Sequence, residues 1–305
     1  MVLYQSRLVN IQVLNRSIPK YTIEQINQCD QHVKMNLDIR RLEDHIALMT
    51  DVVFPHRHDF YNLIYITQGS GTHDIDFKQF EVVPNQLFFM NDGQVHEWNL
   101  SADIKGFTMF FKKEFYNVAE PIFSLPNLPF FHNSANEAQM VIFDQNEATV
   151  CEHFFEDMLN EFKKGQTHHE AIIKTLLKII LIRSLRVYEP HYSTSGSKLV
   201  LTKIHQFEGL IEKNYQHIKG VKEYASLLNM TPNYLNAICS TALGKTAGEM
   251  IRDRVILEAK RLLIHSPLSI CEMGYALGYD DCSYFIRMFK KSVGQTPEQF
   301  RTQLA

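Results

Sequence analysis

Two sets of residues in this 305-residue chain have side chains suited to chemistry. The first is the histidines, His56, His58 and His96 among them, whose ring nitrogens can ligate a metal. Imidazoles on neighbouring strands can meet around Zn2+ or Fe2+. The second lies in GYDDCSYFIRMFKKSVGQTPEQFR, residues 278–301, where aromatic and basic residues alternate. Phe285, Met288 and Phe289 fall at i, i+3 and i+4, the spacing of a buried helical stripe. Cys282, Ser283, Ile286, Arg287, Lys290 and Lys291 are left on the outside or flanks of that helix. A helix fits the major groove, where its side chains reach base edges, while Lys, Arg and helix N-termini hold phosphates. The chain has no GxSxG, no phosphate-cradling P-loop and no HExxH, so these common catalytic frameworks are absent.

Two kinds of element must position these groups. From Asn62 to Phe111 the chain reads as short strands punctuated by Gly, Asn and Pro: NLIYIT, THDIDF, FEVV, QLFFM and GFTMFF. Such spacing predicts a sandwich or barrel able to enclose a small molecule. Tyr61, Leu63, Tyr65, Phe88 and Trp98 are expected to wall its interior. After about residue 136 the period becomes helical, with Glu147 to Lys164 amphipathic and Ala171 to Val187 apolar around much of its circumference. A helix of that second kind must be buried on more than one side, either against the barrel and also a second subunit or wholly within the chain. PHYSTSGS, residues 190–197, has linker composition.

Two helix-turn-helix patterns follow. Val221 to Met230 is a short helix. Thr231-Pro232 then starts a second helix that buries Leu235, Ile238 and Cys239 and ends near Gly244. Ser269 restarts the pattern, Gly278 closes it, and Asp280 or Asp281 caps the next helix. A long helix from about Ala247 to His265 joins the units, which are expected to read successive major-groove faces. The expected domains are therefore 1–136 (β), 137–189 (helical dimerisation segment), 190–197 (linker) and 198–305 (all-α, DNA-binding).

Net charge is -3, unevenly distributed: residues 197–305 carry 14 Lys+Arg against 10 Asp+Glu, and the remainder 17 against 24. A basic C-terminal part on an acidic protein fits a polyanionic partner. No apolar run is long enough to span a bilayer, and the N-terminal residues lack the apolar core of a secretory signal. Five cysteines without a CxxC pair fit reduced thiols in a cytoplasm, and the expected location is the bacterial cytoplasm.

At ICEMGYALGYDDCSYFIRMFKKSVGQTPEQFR, residues 270–301, the chain resembles the AraC/XylS family of bacterial transcription regulators, over roughly its last hundred residues. The N-terminal half resembles the cupin-type effector domain of such regulators, through FPHRHDFYNLIYI, GSG and NDGQVH. The resemblance implies an α+β multidomain protein: a cupin-like β-barrel with a helical dimerisation segment, then two helix-turn-helix motifs. It implies a homodimer that binds double-stranded DNA under control of a small-molecule effector, with RNA polymerase a candidate partner and no cofactor. Carried over by position, the base-facing candidates are Asn233, Tyr234, Asn236 and Ala237 in one recognition helix. In the other they are Cys282, Ser283, Ile286 and Arg287, with Lys245, Lys290 and Lys291 on phosphates. Arg287 is the leading base reader, since Arg bonds a guanine edge in bidentate fashion.

Departures from the family pattern bear on these roles. Ala237 and Ser240 stand where Arg and Lys are common, so the first unit is expected to supply less charge. Gly274 replaces Ala or Ile and is expected to loosen its helix. In the barrel, Asn85 takes the turn glycine's place, since Asn tolerates a left-handed backbone. Asn62 stands where cupin metal sites place a carboxylate. His56, His58 and His96 are accordingly expected to contact the effector or pack, with no metal assigned. The competing class is a cupin metalloprotein or enzyme with a helical interaction domain.

Overall fold

The computed structural model describes residues 19–27, 36–49, 52, 55–118, 123–125, 128–131, 139–188 and 198–304. Phe54 and the expected linker 190–197 lie outside these residues. The chain divides into two compact units, with the boundary between Val255 and Ile256.

The larger unit begins with two five-stranded sheets. One has the order β1-β3-β8-β5-β6, from Lys20–Tyr21, His56–His58, Val95–Leu100, Gly71–Ile75 and Lys78–Val82. The other has the order β10-β7-β4-β9-β2, from Met140–Ile142, Gln86–Met90, Tyr61–Gln68, Lys105–Phe111 and Leu37–Arg41. Two short helices, α1 (Ile23–Ile26) and α2 (Leu42–Leu48), are interleaved with the strands. β10 extends the second sheet into the stretch read as helical from 137 onward.

Turn chemistry sets the corners. Gly71 adopts φ +148, and a Cβ there would stand 2.2 Å from the Asn99 carbonyl oxygen, so only glycine fits against β8. Asn85 adopts φ +66 before β7, as expected of an Asn replacing the turn glycine.

The second sheet is covered on both faces, which explains why β4 and β7 read as nearly continuous apolar runs. Adjacent residues of a strand point to opposite faces. Ile64, Ile66, Phe88 and Met90 therefore meet Ile75 and Val82 between the sheets, with Trp98 and Leu100 packed alongside. Leu63, Tyr65, Leu87, Phe89, Phe107 and Met109 point the other way, onto α3 (Gln145–Lys164) and α4 (His169–Tyr188). Asp144 caps α3 by accepting from the Asn146 and Glu147 N–H groups, and Gly165 ends it at φ +58.

This arrangement corrects one expectation. Leu63 and Tyr65 do not wall the barrel interior: the Tyr65 ring stacks on Phe155 of α3 and its hydroxyl donates to the Ala148 carbonyl at 3.0 Å. Tyr61 shares their face and stacks on Phe111. The strand period of two put these residues on one face together with no signal of which face the helices cover. α4 packs on this outer face of the sheet. Its most apolar stripe, Ile173, Leu177, Ile180 and Leu181, is consumed by packing within the chain. Leu177 is 0% exposed, while Ile172, Ile179 and Ile182 remain partly exposed.

The C-terminal helices are α5 (Lys198–Asn214), α6 (Val221–Leu227), α7 (Pro232–Leu243), α8 (Ala247–His265), α9 (Ile270–Ala276), α10 (Cys282–Val293) and α11 (Pro297–Leu304). They contain a repeat of about 50 residues. Thr231 caps α7 and Asp281 caps α10, while Gly244 and Gly294 close them at φ +67 and +86. Leu235, Ile238 and Cys239 in α7 match Phe285, Met288 and Phe289 in α10, all buried. Before α7 and α10 the chain passes through a left-handed residue, Asn229 at φ +54 and Gly278 at φ +81.

The first repeat buries Ile204, Phe207 and Ile211 of α5 against Tyr224, Ala225, Leu235 and Ile251. Arg254 pins α8 to α5 through two bonds to Glu212, at 2.7 and 2.8 Å, with its guanidinium 3.9 Å over the Tyr215 ring. In the second repeat Gly274 corresponds to Ala225. A Cβ at Gly274 would stand 3.2 Å from the Phe285 ring, so the glycine tightens α9 against α10, where the sequence pattern predicts a looser helix. Cys271 and Cys282 form a disulfide between these same helices, correcting the expectation of reduced thiols throughout. Their separation of 11 residues spans a helix, a turn and a cap, and carries no CxxC-like signature.

Candidate nucleic-acid interface and effector site

α7 and α10 owe their outward faces to how their inner faces are filled. In α10, Phe285, Met288 and Phe289 are buried, so Ser283, Tyr284, Arg287, Lys290 and Lys291 are exposed. Arg287 is 69% exposed, with Asp281 at 3.8 Å. A pair this long and this exposed is worth little in water and yields readily to a base or phosphate. Ile286 is half-buried on the flank. Cys282 is half-buried and its sulfur is bonded to Cys271, so in this state its thiol is not offered to a base.

In α7, Asn233, Tyr234 and Ala237 are exposed. Asn236 turns inward instead: its Oδ1 accepts the Ala247 N–H at 3.0 Å and so caps α8. Lys245 pairs with Asp253 at 2.5 Å, which holds its ammonium against α8. Sequence reasoning missed Tyr284. The repeat was the signal that could have found it, since Tyr234 and Tyr284 are both the third residue of their helices, and they are 50% and 54% exposed.

Between the sheets, Phe88 and Trp98 do face inward, as expected. So do the histidines. β3 and β8 pair antiparallel with His56 directly opposite His96, and His58 lies two residues along from His56 on the same face. The three Nε2 atoms converge: His56 to His58 3.1 Å, His56 to His96 3.1 Å, and His58 to His96 2.9 Å. His73 of β5, also missed from the sequence, puts its Nε2 3.1 Å from His96 Nδ1. Its alternation with Ile75 was the available cue. All four rings are buried, and His58 stacks on Phe60 with centroids 4.5 Å apart. Desolvation holds His56 down to about 4 and His73 to about 3, and keeps His58 and His96 well below the ordinary imidazole value. All four are neutral at ordinary pH. Asn62 is buried nearby on β4 with its Oδ1 accepting from the Thr108 hydroxyl at 3.0 Å.

Comparison with known proteins matches both halves. An AraC-like ligand binding domain covers residues 39–117, and a Helix-turn-helix domain covers 224–303. The transcriptional activator RhaR of Escherichia coli K12 is 19% identical over 254 residues, covering 82% of this chain and 88% of RhaR. RhaS of Pectobacterium carotovorum is 21% identical over 255 residues, with the same coverages. Among solved structures, the C-terminal domain of AraT, a response regulator from Geobacillus stearothermophilus, is 27% identical. It covers 33% of this chain and 84% of that one, with a TM-score of 0.32. A ligand-binding β domain followed by paired helix-turn-helix units defines a transcriptional regulator with an effector domain. The chain belongs to the AraC family of such regulators. Among the described residues no helix is long and apolar enough to cross a membrane.

Proposed function

We propose that this protein is a cytoplasmic, non-enzymatic regulator that reads duplex DNA through α7 and α10 and responds to a small molecule held between its two sheets. The observation that carries this reading is the outer face of α10. Ser283, Tyr284, Arg287, Lys290 and Lys291 stand free of the packed stripe that holds the helix in place. Ser283 and Arg287 read base edges, Lys290 and Lys291 hold phosphates, and Tyr284 packs on the sugar–phosphate rim. In α7, Asn233 and Tyr234 contact the DNA and Ala237 permits close approach, while Asn236 and Lys245 act through α8. Phe88, Trp98 and the histidines His56, His58 and His96 line the effector side.

The protein acts as a homodimer through the face of α4 carrying Ile172, Ile179 and Ile182, and RNA polymerase is its partner at the promoter. The domains run 1–136, 137–189, 190–197 and 198–305. Selection of bound sequences from random duplex DNA by the full-length protein tests the reading. An enriched motif whose binding falls with rising salt supports it. Equal retention of all sequences would overturn it.

A further inference from the structure

Cys271 is the second residue of α9 and Cys282 the first residue of α10, and their disulfide brings the two Cα atoms to 4.9 Å. Both residues are half-buried, so the bond lies within reach of small thiols and disulfides in solution. Cys151 and Cys239 differ. Both are buried, and desolvation pushes each thiol up to about 12, so they stay protonated and inert. Among the described cysteines, only the Cys271–Cys282 pair is placed for exchange chemistry.

The internal repeat shows what this pair adds. At the corresponding positions the first copy has Lys222, second in α6, and Pro232, first in α7, which cannot be joined. That copy is fastened by Arg254 and Glu212 instead. In the second copy α9 has seven residues, too few to persist as a helix without tertiary support. The turn through Gly278 ties its C-terminal end to α10, and the disulfide ties its N-terminal end to the first turn of the same helix. That first turn is where the Asp281 carboxylate accepts the Ser283 N–H at 2.7 Å, next to the outer face that carries Arg287. Two unbonded sulfurs do not stay at bonding distance. Cleavage therefore frees the Cys282 side chain and the first turn of α10, and DNA binding must then remove that freedom.

We propose that Cys271 and Cys282 form a reversible dithiol modification site, oxidised by low-molecular-weight disulfides, that tunes DNA binding by the second helix-turn-helix alone. The bonded form is the tighter binder. One cysteine thiolate attacks a sulfur of the small disulfide R–S–S–R, forming a mixed disulfide and expelling RS−. The other cysteine then attacks the protein sulfur of that mixed disulfide and expels the second RS−. The two protons lost by the cysteines end on two molecules of RSH, and the two electrons reduce the small disulfide. In a reducing compartment the pair stays open until such an oxidant arrives. The inference rests on the DNA-binding reading of α10.

The test equilibrates full-length protein in buffers of varied glutathione to glutathione disulfide ratio. Alkylation and mass spectrometry read the thiols, and fluorescence anisotropy reads binding to the selected duplex. Cys271 and Cys282 should be lost as thiols together, with no lasting glutathione adduct. The bonded protein should bind about 3–10-fold tighter. Single-base preferences should change only at base pairs that respond to Arg287→Ala. Cys271→Ser should bind like the reduced wild type in every buffer; if it does not fold, the reduced and oxidised wild type still make the comparison. Thiols that remain free in oxidising buffer, a persistent adduct on one cysteine, or a redox response that survives in Cys271→Ser would each overturn the site. Duplex binding that ignores the bond would overturn the control of DNA binding alone. Absence of salt-sensitive duplex binding in both states would overturn the reading of α10 and this inference with it.

Discussion

Arg287 shows how a residue's role follows from what its neighbours leave undone. The buried stripe of α10 fixes the helix without it, and its weak pairing with Asp281 leaves the guanidinium available. Arg287→Ala is therefore expected to weaken specific DNA binding by about 1–3 kcal/mol and relax preference at one base pair. Competition binding against single-base variants of the site checks this, and an unaltered preference profile would remove Arg287 from base reading. Tyr284 has a different signature. The proposed placement of Tyr284 on the sugar–phosphate rim predicts that Tyr284→Ala weakens all sequences alike, with Tyr284→Phe losing less, as read by titration of specific and unrelated duplexes.

The two helix-turn-helix elements are copies built with different fastenings. In the first, Arg254 and Glu212 clamp α8 to α5, with the Arg254 side chain only 7% exposed. Losing Glu212 takes two charge-assisted bonds from this buried guanidinium, so Glu212→Ala should destabilise this element by about 3 kcal/mol. Chemical denaturation followed by fluorescence measures the loss. In the second, the disulfide and the closeness permitted by Gly274 hold α9 to α10. A larger side chain there must push Phe285 aside, so Gly274→Val should cost about 1–3 kcal/mol. Peptide mapping without reductant should recover Cys271 linked to Cys282, while Cys151 and Cys239, both buried, resist alkylation until the protein unfolds. Recovery of Cys282 as an alkylated free thiol from folded, unreduced protein would contradict the bond.

At the scale of the whole molecule, α4 bears on assembly. α4 is apolar on most sides, but its Leu177 is part of the chain's own core. Disrupting it would unfold the barrel's helical cover and report nothing about dimers. Ile179 lies on the face that remains, in line with Ile172 and Ile182. Ile179→Arg should shift the protein from dimer to monomer in sedimentation velocity without changing its far-UV circular dichroism. A dimer that survives would place the interface elsewhere. Charge distribution gives a second test at this scale. Arg287, Lys290 and Lys291 are exposed on α10. Replacing any one of them that neutralises a phosphate should make the slope of log affinity against log salt shallower by about 0.9.

Much of this protein was legible in its residues. The strand and helix periods, the caps at Thr231, Ser269 and Asp281, the left-handed Asn85 and the buried stripe of α10 are local features, and local sequence determines them. The family pattern then assigned the C-terminal helices their task. What sequence left undecided depended on contacts between segments far apart in the chain. The period of two grouped Tyr61, Leu63 and Tyr65 on one face, but only the packing of α3 and α4 made that face the outer one. Asn236 and Lys245 looked available until α8 claimed them. Cys271 and Cys282 met only through the fold of α9 onto α10. The histidine triangle depends on strand register, since pairing His56 across from His96 and bringing His73 behind it is a property of the closed sheets, which no spacing along the chain encodes.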